Sequence, residues 1–399
     1  MTQVVIVGAG PTGTALALLL VQRGISVTLV EAAKDFYRVF RGEGLMPSGL
    51  DALEQMGLSS LLEQVPHRPL HAWEFIIDNK PLFRVAEPMG SHYPCTLVSQ
   101  PPLLEALIAK AHLYPGFEFI QGISVKDLIW NGDRASGVKL ADGREISAEL
   151  VIGTDGRNSV VRQCAELELV KQPKSIDVLW FKLPAHPQFV AENVFWSILN
   201  RNQGFSIFHG AEIGKLHLAW VLSANDKTDW KNTDWAETFA SLSPSWLAEH
   251  FRHCAETIEP PIRLSVVVGR CPSWHKPGVM LLGDAAHPMS PVRAQGINLA
   301  LRDVIVAANH LVPLLKVGAS NPAIDLALSQ IQAEREEEII RAQQLQLQEA
   351  NQGEKLRKNA FARALVMYLA PLIRKRLQAS WMKRQAELRQ GITQVTLVV

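Results

Sequence analysis

The sequence predicts an α/β protein with two domains and a helical C-terminal extension. A chain of 399 residues is longer than one minimal core requires. Near the N-terminus a strand, a glycine-rich turn and a helix follow one another; the middle of the chain alternates apolar and polar residues; and residues 326–350 are polar and strongly helical. These patterns predict a parallel sheet flanked by helices, a second sheet with one covered face, and a helical end.

The first element predicts a nucleotide-binding turn. Residues 4–7, Val-Val-Ile-Val, are typical of a buried strand, and residues 15–21 have a helical pattern. Between them lies the motif Gly8-x-Gly10-x-x-Gly13. Gly8 permits a tight turn, Gly10 lets the backbone approach a pyrophosphate, and Gly13 lets the helix lie close to the sheet.

The helix start and the next strand complete this pattern. Pro11 and Thr12 stand at the helix N-terminus, where free N–H groups and a partial positive charge suit phosphates. A strand predicted over residues 25–30 ends at Glu31, which stands 18 positions after Gly13 and can accept hydrogen bonds from a ribose. The arrangement is typical of NAD sites and FAD sites alike.

Composition describes an ordinary globular protein. Charged residues make up 20% and hydrophobic residues 47%, and the net charge of +1 gives no nucleic-acid signature. The four cysteines lack metal-ligand spacing, so we expect reduced thiols and no metal site. We found no secretory leader and no run of about 20 apolar residues, and therefore expect a cytoplasmic protein.

Four later segments share one feature: each places polar or glycine residues where a predicted strand ends or a helix begins. They are Arg41-Gly42-Glu43-Gly44, Val98-Ser99-Gln100, the segment 151–162 with Asp155-Gly156, and the segment 283–298 with Gly283-Asp284 and Pro291-Val292-Arg293-Ala294-Gln295-Gly296-Ile297-Asn298.

Together with the N-terminal turn, these segments resemble the class A flavoprotein monooxygenases. This is the para-hydroxybenzoate hydroxylase type, which also includes ubiquinone-biosynthesis and tetracycline-modifying hydroxylases. The resemblance covers roughly residues 1–310 and implies FAD as cofactor and NAD(P)H as co-substrate. The cofactor-binding residues that it implies are Gly8, Gly10, Pro11, Thr12, Gly13, Glu31, Arg41, Gln100, Asp155, Gly156, Gly283, Asp284, Pro291, Gly296, Ile297 and Asn298.

The resemblance assigns roles within this set. The first glycine motif holds the FAD diphosphate, Arg41 and Gln100 contact FAD, and Asp155-Gly156 serves FAD and reduced nicotinamide. Asp284 binds the ribityl chain. The amides of residues 296–298 can donate to the flavin edge that becomes negative on reduction.

The implied architecture is a Rossmann-like FAD-binding domain with an inserted antiparallel-sheet substrate domain. We expect the FAD domain in residues 1–72, 95–172 and 265–345, and the substrate domain in residues 73–94 and 173–264. Residues 346–399 form the helical, basic extension.

One segment departs from the family pattern. Where the family has Pro-x-Gly-Gly-Gln-Gly beside the flavin, this chain has Arg293-Ala294 in place of the two glycines. Side chains there restrict a backbone that glycine would leave free. We expect Pro291 and Arg293 near the flavin ring, with the Arg293 side chain either folded outward or placed as a cation near the flavin or an anionic substrate.

The substrate region is predicted from period-two alternation in residues 178–182, 205–209 and 216–221. Its aromatic residues can line a pocket for a flat, apolar molecule or can be core. The candidates for substrate contact are Trp180, Phe205, Phe208 and Trp220. His209 and His217 receive no role, and the resemblance supplies no universal catalytic base.

These observations predict a single-component monooxygenase that hydroxylates or epoxidises an aromatic, quinol-like or polyene small molecule with molecular oxygen, by way of a flavin C4a-hydroperoxide. One alternative is a flavin-dependent reductase or dehydrogenase of an isoprenoid or pigment, which the altered Arg293-Ala294 segment motivates. Another is a non-catalytic escort protein on the same fold. The halogenase pattern W-x-W-x-I-P is absent from the sequence.

The C-terminal extension carries most of the charge asymmetry. Residues 355–399 contain ten Lys or Arg and one acid, so their net charge is +9 and that of the remainder is −8. An apolar stripe at helical spacing includes Phe361, Leu365, Tyr368, Leu369, Leu372, Ile373 and Leu377, with Arg374-Lys375-Arg376 beside it. The extension either packs its stripe on the FAD domain or touches the inner face of a membrane through it.

Overall fold

The computed structural model describes residues 2–37, 43–172, 177–222 and 229–399. Arg41, predicted to contact FAD, lies outside these residues.

Twenty strands lie within the described ranges and form four sheets. In chain order they are β1 Thr2–Val7, β2 Val27–Glu31, β3 Gly44–Leu45, β4 His67–Pro69, β5 Ala72–Ile77, β6 Lys80–Ala86, β7 Thr96–Val98, β8 Phe117–Gln121, β9 Val125–Asn131, β10 Arg134–Leu140, β11 Glu145–Gly153, β12 Val170–Lys171, β13 Asp177–Pro184, β14 Val194–Asn200, β15 Gln203–His209, β16 Lys215–Leu222, β17 Ile262–Ser265, β18 Gly269–Arg270, β19 His275–Lys276 and β20 Val279–Leu281.

The α-helices of the same ranges are α1 Pro11–Val21, α2 Pro47–Gln55, α3 Ser59–Leu62, α4 Gln100–Ala111, α5 Val160–Cys164, α6 Pro187–Glu192, α7 Trp235–Ser241, α8 Ser245–His253, α9 Gln295–Lys316, α10 Asn321–Lys358 and α11 Ala360–Gln390. Short 3-10 turns span Ala255–Thr257, Gly283–Ala285 and Val292–Ala294.

The first sheet carries the N-terminal turn. Its order is β19-β20-β11-β1-β2-β8, and the five strands from β20 to β8 run parallel. Residues 4–7 in the central β1 are at most 5% exposed, because a parallel strand covered on both faces needs apolar side chains throughout. The loops that follow β1, β2, β11 and β20 meet at the carboxyl edge, where ligands of such sheets bind.

The second sheet has the order β17-β13-β16-β15-β14-β5-β6, with strands from residues 72–86 and 177–265. One face packs on α7 and α8. The other face contacts α11 and the part of the chain that carries the first sheet, which we call the first domain. The antiparallel prediction fails for one neighbouring pair, since β14 and β5 are parallel. These two strands come from separate parts of the chain and enter the sheet in the same direction.

The helical extension differs from its predicted bounds. Residue 346, where the predicted extension begins, lies inside α10, which continues through Gly353 to Lys358, since one glycine costs a helix only about 1 kcal/mol. The break lies at Asn359, whose Oδ1 accepts a hydrogen bond from the Ala362 N–H at 2.9 Å and caps α11.

Residues 391–399 return from α11 across the first domain. Arg302 Nη2 donates to the Thr393 carbonyl at 2.5 Å, and Leu397 N–H donates to Gln55 Oε1 at 2.7 Å. Arg23 Nη2, at the end of α1, donates to the Val399 carbonyl at 2.6 Å. The tail therefore joins the C-terminal extension to the first helix of the chain.

One segment of the described chain, Val292–Lys316, is long and apolar enough to cross a membrane. Within its most apolar stretch, 72% is buried in the protein. It contains α9, which packs on α1, α2 and α10, so its apolar character is explained by the core of the first domain.

Candidate active site

Two glycines hold the N-terminal turn against the loop after β11. Gly8 has a φ of +101°, and a Cβ atom there would lie 2.7 Å from Asp155 Cα. A Cβ atom on Gly13 would lie 1.9 Å from the Gly8 carbonyl oxygen. Thr154 Oγ1 donates to that carbonyl at 2.7 Å and fixes the turn. Both positions require glycine because a side chain would overlap backbone atoms.

The start of α1 is available to a ligand. Gly10 precedes the helix and has no side chain with which to cap it, and Pro11 is the first helical residue. The N–H groups there and the helix dipole favour an anion. A Cβ atom on Gly283 would lie 2.6 Å from Thr12 Oγ1, so the loop after β20 packs on the first turn of α1.

Glu31 faces this glycine turn from the end of β2. Its Oε2 accepts from the Ala9 N–H at 2.9 Å, and its Oε1 accepts from the Ala33 N–H at 2.7 Å. An ionised carboxylate has about four acceptor positions, so it can still accept hydrogen bonds from a ribose.

A cleft extends from Glu31 toward the second sheet. Gln100, the first residue of α4, lines it and is 7% exposed. Lys182 of β13 and Glu43 also lie in its wall. The cleft therefore brings two of the predicted cofactor residues, Glu31 and Gln100, beside groups that belong to the second sheet and the loop before β3.

Asp284 meets the start of α9. It is exposed in the turn Gly283–Ala285, and a Cβ atom on Gly296 would lie 3.7 Å from Asp284 Oδ1. Ala294 precedes α9 and has no polar side chain to cap the helix. The N-terminus of α9, with Gly296 and Ile297 in its first turn, therefore lies beside the Asp284 carboxylate, and N–H groups at such a helix start can bind a ligand.

The Asn298 side chain has a structural role. It is fully buried, accepts from the Met46 N–H at 2.8 Å, and donates to the Ala294 carbonyl at 2.5 Å and the Gly44 carbonyl at 3.2 Å. A Cβ atom on Gly49 would lie 2.1 Å from Asn298 Oδ1, so α2 packs directly on this side chain. Asn298 thereby ties β3 and α2 to the loop before α9.

The loop before α9 adopts the left-handed conformation at two residues that are not glycine. Arg293 has φ 60° and ψ 25°, and Ala294 has φ 50° and ψ 39°. The chain therefore keeps the backbone shape that glycines favour, at a cost on the order of 1 kcal/mol or more per residue. Pro291, which is exposed, begins the turn with φ −68°.

The Arg293 side chain is enclosed, which excludes the alternative in which it folds outward. Its guanidinium carbon lies 5.0, 5.4 and 5.6 Å from the ring centroids of Trp381, Trp73 and Phe75. Its Nη2 donates to Glu349 Oε1 at 2.5 Å, and the side chain is 11% exposed. We call these four partners, from β5, α10 and α11, the arginine cage. Glu349 already balances the charge of Arg293.

Asp155 is directed toward α5. Its Oδ1 accepts from Ser159 Oγ at 2.5 Å, and its Oδ2 accepts from the Val160 N–H at 2.6 Å. Burial raises the pKa of this carboxyl, against the effect of these donors. Asp155 thus holds the loop that Gly8 contacts, and Gly156 follows with a φ of +78°.

The four aromatic candidates divide between the two faces of the second sheet. Trp180 and Phe208 lie on the inner face, with ring centroids 6.0 Å apart, in the cluster that includes Met46 and Ala294 near the start of α9. Phe205 and Trp220 lie on the outer face, where they pack on Phe239 and other residues of α7 and α8. The prediction that Phe205 and Trp220 contact substrate is therefore wrong, because both are core residues.

Glu43 was not predicted, and it lies between the loop before α9 and the inner face. Its Oε2 accepts from the Ala211 N–H at 3.1 Å, and its Oε1 lies 3.6 Å from His217 Nδ1 of β16. Burial raises its pKa to about 7, and Lys182 and Glu212 act on it in opposite directions. Burial, with Lys182 nearby, lowers the pKa of His217 to about 3, so that imidazole is neutral.

The sequence held partial signals for the unpredicted groups. Thr154 and Glu43 lie in the segments 151–162 and 41–44, in which neighbouring residues were predicted to bind the cofactor. The arginine cage joins residues 73, 75, 349 and 381, and no local sequence pattern relates these positions.

A model of the FAD binding domain family matches residues 1–340. The chain is 31% identical over 366 residues to 6-methylpretetramide 4-monooxygenase of Streptomyces rimosus, an alignment that covers 88% of this chain and 84% of that protein. It is 27% identical over 349 residues to 3-demethoxyubiquinol 3-hydroxylase of Escherichia coli K12, covering 81% of this chain and 83% of that one.

Two solved structures have a similar fold. p-Nitrophenol 4-monooxygenase from Pseudomonas putida superposes with a TM-score of 0.77 at 17% identity, over 99% of both chains. PqsL of P. aeruginosa, in complex with 2-aminobenzoylacetate, gives a TM-score of 0.73 at 22% identity, over 84% of this chain and 91% of that one.

Proposed function

Because the chain belongs to the FAD binding domain family, as a class A FAD-dependent monooxygenase, we propose that it uses NAD(P)H to insert one oxygen atom into an aromatic, quinol-like or polyene small molecule. The observation that carries this proposal is one line of contacts. It begins at the turn of Gly8 and continues through Thr12, which contacts Gly283. Asp284 follows and lies beside Gly296 at the start of α9. The line ends at Ala294, which packs in the aromatic cluster on the inner face of the second sheet.

The residues along this line fit FAD. The uncapped start of α1 suits the diphosphate, and Glu31 beside Ala9 suits a ribose. Asp284 can accept from ribityl hydroxyls, while Gly296 and Ile297 can donate to a negative ring edge. Bound FAD supplies the two-electron chemistry and the activation of oxygen that protein side chains lack.

The proposed reaction balances with one reduced nicotinamide. Substrate, O₂, NAD(P)H and a proton give hydroxylated substrate, NAD(P)⁺ and water; in an epoxidation the oxygen atom adds across a double bond. The sequence carries no second strand-linked G-x-G-x-x-G motif, so we infer that NAD(P)H binds transiently across the FAD domain.

The protein's own contribution is to position the reactants and exclude water. Trp180 and Phe208 present apolar rings on the inner face, and Lys182 and Glu43 bring polar groups into the same region. Such a mixture suits a flat ring that carries a hydroxyl group. The names of two relatives, a pretetramide monooxygenase and a demethoxyubiquinol hydroxylase, favour a phenolic or quinol ring.

A reductase or dehydrogenase is the second candidate. It is favoured by the restrained loop at Arg293-Ala294, because the arginine cage limits movement at the place where the family has two glycines. A restrained loop would still permit hydride transfer to the flavin.

The test mixes chemically reduced, FAD-loaded protein rapidly with oxygen and follows flavin absorbance. The monooxygenase proposal expects a transient species before oxidised flavin returns, with label from ¹⁸O₂ appearing in a phenol or quinol product. The measurement is repeated with candidate phenols, quinols and polyenes, since some transients persist only with substrate. Direct return to oxidised flavin in every case, with all oxygen recovered as hydrogen peroxide, would favour the reductase.

A further inference from the structure

The helix α11 turns an apolar stripe away from the protein. Phe361, Leu365, Tyr368 and Leu372 are 77%, 46%, 83% and 84% exposed. Their spacing of four, three and four residues places them on one line along the helix. We call this line the outer stripe.

The same helix is anchored through its opposite side. Ala370 and Trp381 are 3% and 4% exposed, and they pack into the inner-face cluster. At 100° per residue, these positions lie about 180° from the outer stripe. The expectation that the extension buries its apolar stripe on the FAD domain is therefore wrong for these four residues: the helix does pack on the protein, but through different side chains.

Basic side chains flank the outer stripe. Lys375 and Arg376 follow Leu372 on the next turn, one on each side of the line, and Lys383 continues it two turns later. All three are exposed. The one acid in residues 355–399, Glu387, is paired with Arg341 at 2.7 and 3.0 Å. The exposed charge beside the stripe is thus positive.

This combination identifies the chemistry of a partner. Exposed leucine and aromatic side chains enter the boundary between headgroups and acyl chains, and flanking Lys and Arg attract anionic headgroups. A second copy of α11 would bring two clusters of positive charge together, which opposes pairing. We propose that the outer stripe and its basic flanks dock the protein on an anionic lipid bilayer, with α11 lying on the surface rather than crossing it.

The test uses FAD-loaded, full-length protein and sedimentation with vesicles of phosphatidylcholine alone or with 30% phosphatidylglycerol. Binding is expected with the anionic vesicles, and it should weaken at least about tenfold in Lys375→Glu/Arg376→Glu and in Tyr368→Ser/Leu372→Ser. Raising NaCl from 50 to 500 mM should weaken it as well. The control Lys126→Glu/Lys231→Glu reverses two exposed charges, one on β9 and one in the turn before α7, and should bind like the unmutated protein.

Flavin content and secondary structure establish that each variant is folded. Absence of binding by the unmutated protein would overturn the proposal, as would equal binding to neutral vesicles or binding that neither the glutamate variant of the flanks nor the serine variant of the outer stripe weakens. A lower oligomeric mass in the serine variant, with vesicle binding unaltered, would assign the stripe to a second copy of the chain.

Discussion

Glu43 occupies a site where burial decides its charge. Its side chain is 10% exposed, and the imidazole of His217 lies 3.6 Å away. Because burial raises the pKa of Glu43 to about 7 and lowers that of His217 to about 3, the two side chains do not form an ion pair at neutral pH. A carboxyl that titrates near neutrality on the inner face can exchange a proton with a phenolic ligand.

We predict that Glu43→Gln changes the pH dependence of stability. The folded-state pKa of Glu43 is raised, so its contribution is fully present below the ordinary value of 4.5 and is lost as pH rises through about 7. A shift of this size corresponds to about 3 kcal/mol. In urea unfolding, the free energy of unfolding of the variant relative to that of the unmutated protein should rise by up to about that amount between pH 5 and pH 8. Glu168→Gln, at an exposed position, should show no gain; a parallel response of both variants would contradict the prediction.

We predict that Asp284→Ala purifies folded but largely without flavin. A hydrogen bond to a charged acceptor contributes about 1.5–3 kcal/mol, which corresponds to roughly 10- to 100-fold weaker FAD binding. The flavin-to-protein absorbance ratio measures this directly. The matched control is Asp133→Ala, at an exposed position in the β9–β10 turn. Stoichiometric FAD in the Asp284 variant would remove that residue from the site.

The arginine cage couples α10 and α11 to the loop before α9. Glu349 accepts both from Arg293 and from Trp381 Nε1, the latter at 3.2 Å. Burial raises the pKa of Glu349, but Arg293, with Trp381 and Arg384, outweighs that effect and holds the pKa below its ordinary value. The carboxylate is therefore ionised and fixes a loop whose left-handed residues would otherwise relax.

We predict that Glu349→Gln destabilises the protein by about 3 kcal/mol or more, because it leaves Arg293 nearly buried without its counter-charge. Bound-flavin fluorescence should change as well, since the loop lies beside the proposed flavin position. Urea unfolding and an emission spectrum provide the two readouts. Glu337→Gln, exposed on the same helix, is expected to stay within about 0.5 kcal/mol. Equal effects of the two changes would show that the cage does not stabilise the loop.

Local sequence patterns predict the strands and helices of this protein, but they do not predict which side chains each face of the second sheet packs against. The strand before Gly8 and the helix after it follow from an apolar run and a glycine spacing, because these depend on neighbouring residues. Alternation in β15 shows that Phe205 and Phe208 point to opposite faces, but it does not tell which face meets the cofactor. That choice depends on α7 and α8, which cover the outer face. The sequence left the position of the Arg293 side chain open for the same reason, since its partners lie at distant positions in the chain.

A buried charge network joins the loop after β20 to α9 and α10. Asp303 of α9 accepts from the Gly283 N–H at 3.1 Å, from His287 Nε2 at 2.8 Å and from Arg335 Nε at 2.8 Å. Arg335 also pairs with Glu338, which accepts from Arg302 Nε at 3.0 Å. The positive charges of Arg302 and Arg335 equal the negative charges of the two carboxylates, so the buried network has no net charge and its desolvation is offset by pairing.

We predict that Asp303→Asn costs about 3–5 kcal/mol, because it leaves one buried positive charge uncompensated. The double variant Asp303→Asn/Arg335→Met restores the balance and should recover part of the loss in urea unfolding.

Burial raises the pKa of Asp303, but His287 and Arg335 hold it below its ordinary value. This contribution to stability is present above about pH 4 and is lost as pH falls further. If the free energy of unfolding of the unmutated protein did not fall below about pH 4, this prediction would be contradicted.

The tail formed by residues 391–399 also constrains the order in which the protein can be completed. Arg23, directly after the first helix, bonds to Val399, a separation of 376 positions. Because synthesis runs from the N-terminus, the tail that braces α1 leaves the ribosome long after α1 does. A nascent chain that has exposed its glycine turn for most of its synthesis therefore still lacks the hydrogen bonds between Arg23 and Val399. We expect residues 391–399 to dock beside this helix only after the glycine turn and α1 have formed.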